Sequence, residues 1–264
     1  MSRTVLPGPA GSLRVDDSGP SRGDWPIVFV HSLAGNVEQW SAQLAHVRAT
    51  PTHRAVALDL RGHGQSDPPA NGDYSLTGMA ADIGAVVEQL DLEMIVLVGH
   101  SMGGGVALTY AGANPQMVAG LLLLDPIGDG KQFSVSQTEP LLRALNADYT
   151  TTITEYWTGI AGADGVIRQR LLDDLHATPQ ETVVRSFREV LHFDPDPSLA
   201  RYRGPILSVV TPYNDQPFSL HRLDAGFPHR VVEGTGHWIQ LEKPEEFNAM
   251  LDEFVATAGR SRKR

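Results

Sequence analysis

The sequence predicts an α/β fold: a mostly parallel central sheet with helices on both faces and a helical insertion. Three observations carry this. Short, almost purely apolar runs rich in Val, Ile and Leu recur along the chain. Segments with apolar residues at helical spacing lie between them. A long stretch without strand-like runs then interrupts the alternation. Strands of a parallel sheet are buried on both faces, so they read as continuous apolar runs rather than alternating ones.

The elements follow in order. "WPIVFVHS" (25–32) is a β-branched and aromatic run ending in polar residues, which reads as a buried strand. A second strand, 55–58, runs into the Gly/Pro loop "RGHGQSDPP". From Ser75 to Asp91, Leu76, Met79, Ile83, Val86, Val87 and Leu90 recur at helical spacing, with Ser75 as N-cap. "MIVLVG" is the next strand, and "GGGVALTYAGANP" a helix stopped near Asn114–Pro115. "VAGLLLLDP" (118–126) is another buried strand. From Ile127 to Arg203 only amphipathic pieces occur, among them "EPLLRALNADY" and "PQETVVRSFREVLHF". "PILSVVT" (205–211) resumes the strand pattern, and "KPEEFNAMLDEFVATAG" is the final helix. The expected organisation is therefore a core of residues 1–126 and 204–264, with 127–203 inserted as a helical cap or lid.

Bulk properties narrow the function. The chain has 264 residues and a net charge of -10, and an acidic surface repels phosphate backbones, which argues against a nucleic-acid partner. Cysteine is absent, which removes disulfides, thiolate catalysis and cysteine-ligated metals. No apolar h-region opens the chain and no run reaches the ~18 residues of a membrane span. The expectation is a cytoplasmic protein without a membrane partner. The basic "GRSRKR" at the C-terminus reads as a solvated tail.

The chemistry centres on "GHSMG" (99–103), a G-x-S-x-G pattern between a strand and a helix. A sharp strand-to-helix turn strains the serine backbone and needs small neighbours two residues away. Gly99 and Gly103 meet that need, and Gly104 lets the helix pack closely. Ser101 would stand at a strand's carboxyl end, in front of a helix N-terminus that supplies free N–H groups.

Four stretches, "FVHSLAG" (29–35), "DLRGHGQSD" (59–67), "GHSMGG" (99–104) and "GTGHWIQLEKPEEF" (234–247), resemble in order the motifs of α/β-hydrolase-fold proteins. The likeness covers almost the whole chain. It implies Ser101 as nucleophile, His237 as base, and the main-chain N–H groups of Leu33 and Met102 as an oxyanion hole. Ser32 stands where the family usually has glycine. His31 is expected to order the oxyanion loop through hydrogen bonds. His63 and His100 are read as structural, and His221 and His229 lack partners at metal-ligand spacing. No metal or organic cofactor is implied.

The acid has two candidates. The family's usual place is the loop after "PILSVVT", where "TPYNDQPF" offers Asp215 without the customary glycine. The alternative is Asp125, at the end of "LLLLDP", where a branch of the haloalkane dehalogenases in the same family places its acid. The loop position puts Asp215 ahead. Asn214 is a poor acid, because an amide cannot carry the compensating charge.

The implied reaction is hydrolysis of a small to medium apolar carboxylic ester through an acyl-enzyme. Lactonase, C–C bond hydrolase and perhydrolase chemistry on the same residues are alternatives, and so is a ligand receptor of the same fold that does not turn over. Serine at the elbow argues against dehalogenase and epoxide hydrolase chemistry, which uses aspartate there. Phe133, Tyr156, Trp157, Phe218 and Trp238 are candidate substrate-lining residues.

Overall fold

The computed structural model describes residues 2–21, 25–50 and 52–261. Eight strands form one sheet: β1 (Ser2–Pro7), β2 (Ser12–Asp17), β3 (Ile27–Val30), β4 (Ala55–Leu58), β5 (Ile95–His100), β6 (Val118–Leu124), β7 (Ile206–Val210) and β8 (His229–Val231). Their spatial order is β1-β2-β4-β3-β5-β6-β7-β8. From β4 to β8 every pairing is parallel. The strands expected from their apolar runs are present within a residue or two of the expected ends.

Two features of the N-terminal part lie outside the sequence-based expectation. The first is the hairpin of β1 and β2, antiparallel to each other, with β2 also antiparallel to β4. Its strands flank a Pro/Gly-rich turn and β1 is partly exposed at the sheet edge, so it lacks the apolar run that marks the buried strands. The second is helix α1 (Ser41–Ala49), whose buried face includes Gln43 beside Leu44 and Val47. The Gln43 amide donates to the Gln240 carbonyl and to Asn248, and this polar residue breaks the apolar stripe in the sequence.

Helix α2 (Leu76–Gln89) is capped as expected: the Ser75 hydroxyl oxygen accepts the Gly78 N–H at 3.0 Å. Helix α3 (Met102–Ala113) follows β5 directly. Between β6 and β7 the described residues form no strand but five α-helices: α4 (Val135–Ala147), α5 (Tyr149–Ile160), α6 (Gly165–Ala177), α7 (Gln180–Leu191) and α8 (Asp196–Arg201). Since β6 and β7 are neighbours, this helical segment leaves and rejoins the sheet at adjacent strands. The one-turn helices α9 (Leu220–Leu223) and α10 (Ile239–Glu242) come next. Helix α11 (Pro244–Ser261) closes the described chain, so the start of the basic tail continues the helix; residues 262–264 of that tail lie outside the described residues. Among the described residues no helix is long and apolar enough to cross a membrane.

The core has two faces, as the period of a strand requires. Along β5, Leu97 packs with Met79, Ile83 and Val106. Val96 and Val98 point the other way, to Phe29, Trp40 and Phe247. Ile153, Trp157, Leu171, Leu175 and Phe187 of the helical segment join the first cluster. That segment is thus built onto one side of the sheet, at the end where β5 stops.

Candidate active site

Ser101 sits between β5 and α3 with φ 54° and ψ −119°. A left-handed φ is unusual for a residue with a side chain and costs ~1–3 kcal/mol, so the surroundings must enforce it. They do. The Ser101 N–H donates to the Leu124 carbonyl at 2.9 Å, and its carbonyl accepts N–H groups from Gly104, Gly105 and Ile127. A Cβ at Gly99 would collide with the Gly103 carbonyl, and one at Gly103 with the His31 carbonyl. A Cβ at Gly104 would press on Pro126, which agrees with close seating of α3.

The loop after β3 is equally constrained. Gly35 N–H closes a turn on the Ser32 carbonyl at 3.0 Å, with Ala34 at φ 53°. The buried His31 ring orders this loop: Nδ1–H donates to the Ser32 carbonyl at 2.7 Å, and Nε2 accepts the Leu60 N–H at 3.0 Å. Burial pushes His31 down to about 4, which agrees with a neutral ring serving once as donor and once as acceptor. Ser32, in the usual glycine place, donates its hydroxyl to Gln39 Oε1 at 3.2 Å. Leu33 and Met102 both line the cavity beside Ser101. Met102 is the first residue of α3, where N–H groups have no intrahelical acceptor.

His237 lines the same cavity. Its main chain is held from both sides: its N–H donates to the Ile160 carbonyl at the end of α5, and its carbonyl accepts His100 Nε2–H at 2.9 Å. His100 Nδ1 in turn accepts from the Gln240 amide at 3.2 Å. Burial, followed by the neighbouring His237, holds His100 well below the usual imidazole range, so it is a neutral bracket. This role of His100 was not legible, because it depends on a residue more than a hundred positions away.

The ring of His237 meets one of the two acid candidates. Its Nδ1 is 2.6 Å from Asp125 Oδ2. Asp125 follows β6, is fully buried and has φ 42°. Its Oδ1 accepts the Thr211 N–H at 2.8 Å, and its Oδ2 accepts the Thr211 hydroxyl at 2.9 Å. Contrary to the expectation that put Asp215 ahead, the structure places Asp125, not Asp215, against His237. Asp215 bonds instead to His221 Nε2 at 3.0 Å and to the guanidinium of Arg222. Arg222 first, and His221 after it, hold its carboxyl well below the usual carboxylate range. Arg222 lies seven residues further on, and the one-turn helix α9 swings it back onto Asp215.

The cavity in front of these groups has a volume of about 120 Å³. Phe133, Tyr156, Trp157, Phe218 and Trp238, the expected lining residues, are all in its wall. Phe133 and Phe218 pack ring to ring at 4.6 Å. Trp157 is 6.2 Å from Trp238, so the helical segment meets the histidine loop there. Ile160, at the end of α5, and the half-exposed Tyr213, in the turn after β7, are further wall residues that periodicity did not reveal.

A sequence profile described as the alpha/beta hydrolase fold matches residues 26–244. A non-heme chloroperoxidase of Streptomyces lividans is 36% identical over 96% of this chain and 99% of its own. A dihydrolipoyllysine-residue acetyltransferase component of the acetoin cleaving system of Cupriavidus necator is 29% identical over 90% of this chain. The chain spans 66% of that relative's length. Among solved structures, one described as an N-acyl homoserine lactone degrading enzyme superposes with a TM-score of 0.82. It is 26% identical and the match covers 95% of this chain and 100% of that one. The chain belongs to the α/β-hydrolase-fold family.

Proposed function

We propose that the protein is a serine-dependent hydrolase of carboxylic esters, with Ser101 as nucleophile, His237 as base and Asp125 as acid. The observation that carries the reading is the 2.6 Å contact of His237 Nδ1 with buried Asp125, on a cavity that also holds the strained Ser101. With Nδ1–H committed to Asp125, Nε2 is the nitrogen left to accept a proton.

Ser101 Oγ attacks the ester carbonyl carbon while His237 Nε2 takes its proton. The N–H groups of Leu33 and Met102 receive the oxyanion, worth ~3 kcal/mol per donor in comparable sites. The carbonyl re-forms as the alcohol leaves with the proton from His237. Water then attacks the acyl-enzyme, giving its proton to His237, and Ser101 departs protonated with release of the acid. Asp125 stays ionised throughout and stabilises the imidazolium.

The wall supports an apolar substrate of small to medium size. A dry cavity of ~150 Å³ accommodates benzene, so a volume of about 120 Å³ suits a short acyl chain or small ring. A lactone is an ester closed on itself and would follow the same steps; the lactone-degrading structural relative supports this variant. The chloroperoxidase relative favours one second reading, in which hydrogen peroxide replaces water and the acyl-enzyme yields a peracid.

The test is turnover of p-nitrophenyl acetate and butyrate by the wild type and Ser101→Ala. The expected result is hydrolysis lost by at least about a thousandfold in the variant. Equal turnover in both would reject the nucleophile. No turnover together with no fluorophosphonate labelling of folded protein would favour the ligand-receptor reading. Peracid formed on adding hydrogen peroxide would support the second reading.

A further inference from the structure

We infer that Thr211 is a positioning residue of the catalytic apparatus: its backbone N–H and its hydroxyl clamp Asp125 so that Oδ2 faces His237. The inference rests on the reading of Asp125 as acid.

Thr211 directly follows β7 and is fully buried. It stands at the start of the loop in which the sequence led one to seek the acid. Here that loop supplies donors instead. Thr211 N–H reaches Oδ1 at 2.8 Å and its Oγ1 reaches Oδ2 at 2.9 Å, so one residue touches both carboxylate oxygens. The same loop fixes the chain just after Asp125, since Asn214 Nδ2 donates to the Pro126 carbonyl at 2.8 Å. Asp125 N–H donates to the Val209 carbonyl at 2.7 Å, which ties the backbone of the acid to β7 as well.

Two consequences follow from chemistry. A carboxylate held by one imidazole alone can rotate about its last torsion, which for sp³–sp² bonds is broad. Two donors from a single rigid residue remove that freedom. Both donors are neutral, so they stabilise the negative charge without cancelling it. The titratable groups facing the pair are few. Tyr213 feels the charge of Asp125 and lies 6.2 Å ring to ring from His237, and His100 lies 4.7 Å from His237.

The test compares Thr211→Val, which keeps the branched shape and N–H but loses the hydroxyl, with Thr211→Ser, which keeps the hydroxyl. Thr211→Ala is a second hydroxyl-less variant should valine fold poorly. With p-nitrophenyl butyrate, Val and Ala should lower kcat about tenfold with KM little changed. Loss of the hydroxyl donor concentrates charge on Oδ2, which favours the protonated imidazole. The acid limb of the kcat/KM profile should therefore move to higher pH, by about half a unit. Ser should remain within about twofold of the wild type on both readouts. The low-field proton resonance of His237 Nδ1–H should shift in Val and return in Ser, whether or not this substrate is turned over. Unchanged kcat, pH limb and resonance in Val and Ala overturn the assignment. A loss in Ser as large as in Val also overturns it, since the methyl packing would then be the cause. Absence of Ser101-dependent turnover in the wild type counts against the hydrolase reading alone, and the resonance still decides the role of Thr211.

Discussion

Two aspartate–histidine pairs lie on the loops at the carboxyl edge of the sheet, and they differ in what else the aspartate touches. Asp125 is fully buried, its other donors are the neutral N–H and O–H of Thr211, and its histidine lines the cavity beside Ser101. Asp215 is partly exposed and its charge is met by the guanidinium of Arg222. A carboxylate already neutralised by a guanidinium has little field left for an imidazolium, whereas neutral donors leave the charge available to its partner. The distinction between the pair proposed as catalytic and the other thus lies in the second partner, not in the residue types.

The largest expected effect breaks this comparison most sharply. Asp125→Asn should lower kcat on p-nitrophenyl butyrate by about 10³ to 10⁴, because an amide cannot stabilise the imidazolium and can impose the wrong tautomer. Steady-state kinetics on folded variant protein checks it.

A second effect concerns the buried histidines around the site, which carry no compensating charge. Burial pushes His31 down to about 4 and His63 down to about 3, and His100 moves the same way. Between these values and the ordinary 6.5 the unfolded chain binds more protons than the folded one, so stability falls as pH falls through that window. At pH 5 the His31 contribution alone is on the order of 2 kcal/mol. Asp59, pushed up to about 6 by desolvation, acts in the opposite sense, gaining stability as pH falls toward 4. Burial raises Asp82 and Asp174 in the same sense as Asp59, but the three strongly depressed histidines outweigh these carboxyls, so the thermal midpoint should drop between pH 7 and pH 5. A midpoint that rises over that interval would show that these rings are charged in the folded protein.

The smallest effect belongs to the exposed pair. Asp215→Asn and Arg222→Ala should each leave kcat within about threefold of the wild type and shift the melting temperature only slightly, as exposed ion pairs do. A loss from Asp215→Asn comparable with that from Asp125→Asn would erase the difference between the two pairs.

The sequence made the elbow legible because local sterics write it into neighbouring residues. Ser101 needs Gly99 and Gly103 whatever surrounds them, and a strand before and a helix after are visible as apolar runs. The acid is different. Nothing within a few residues of Asp125 reports that Thr211 and His237 converge on it, more than eighty positions away. The loop "TPYND" pointed to Asp215 through its position after β7, and only the fold of α9 reveals that Arg222 occupies that carboxylate. Arg222 was the available signal: a basic residue returning within one short turn is a competitor for a proposed acid. The N-terminal hairpin stayed hidden for a related reason, since an edge strand with a half-exposed face carries no apolar run.

In the proposed mechanism the charge of Asp125, and not that of Asp215, primes Ser101 through His237. The most direct measurement is the second-order rate of fluorophosphonate labelling at Ser101 in Asp125→Asn and Asp215→Asn, with the modified residue located by peptide mass. Labelling is expected to slow by about a thousandfold or more in Asp125→Asn and to stay nearly unchanged in Asp215→Asn. Normal labelling in Asp125→Asn with collapse in Asp215→Asn would contradict that mechanism.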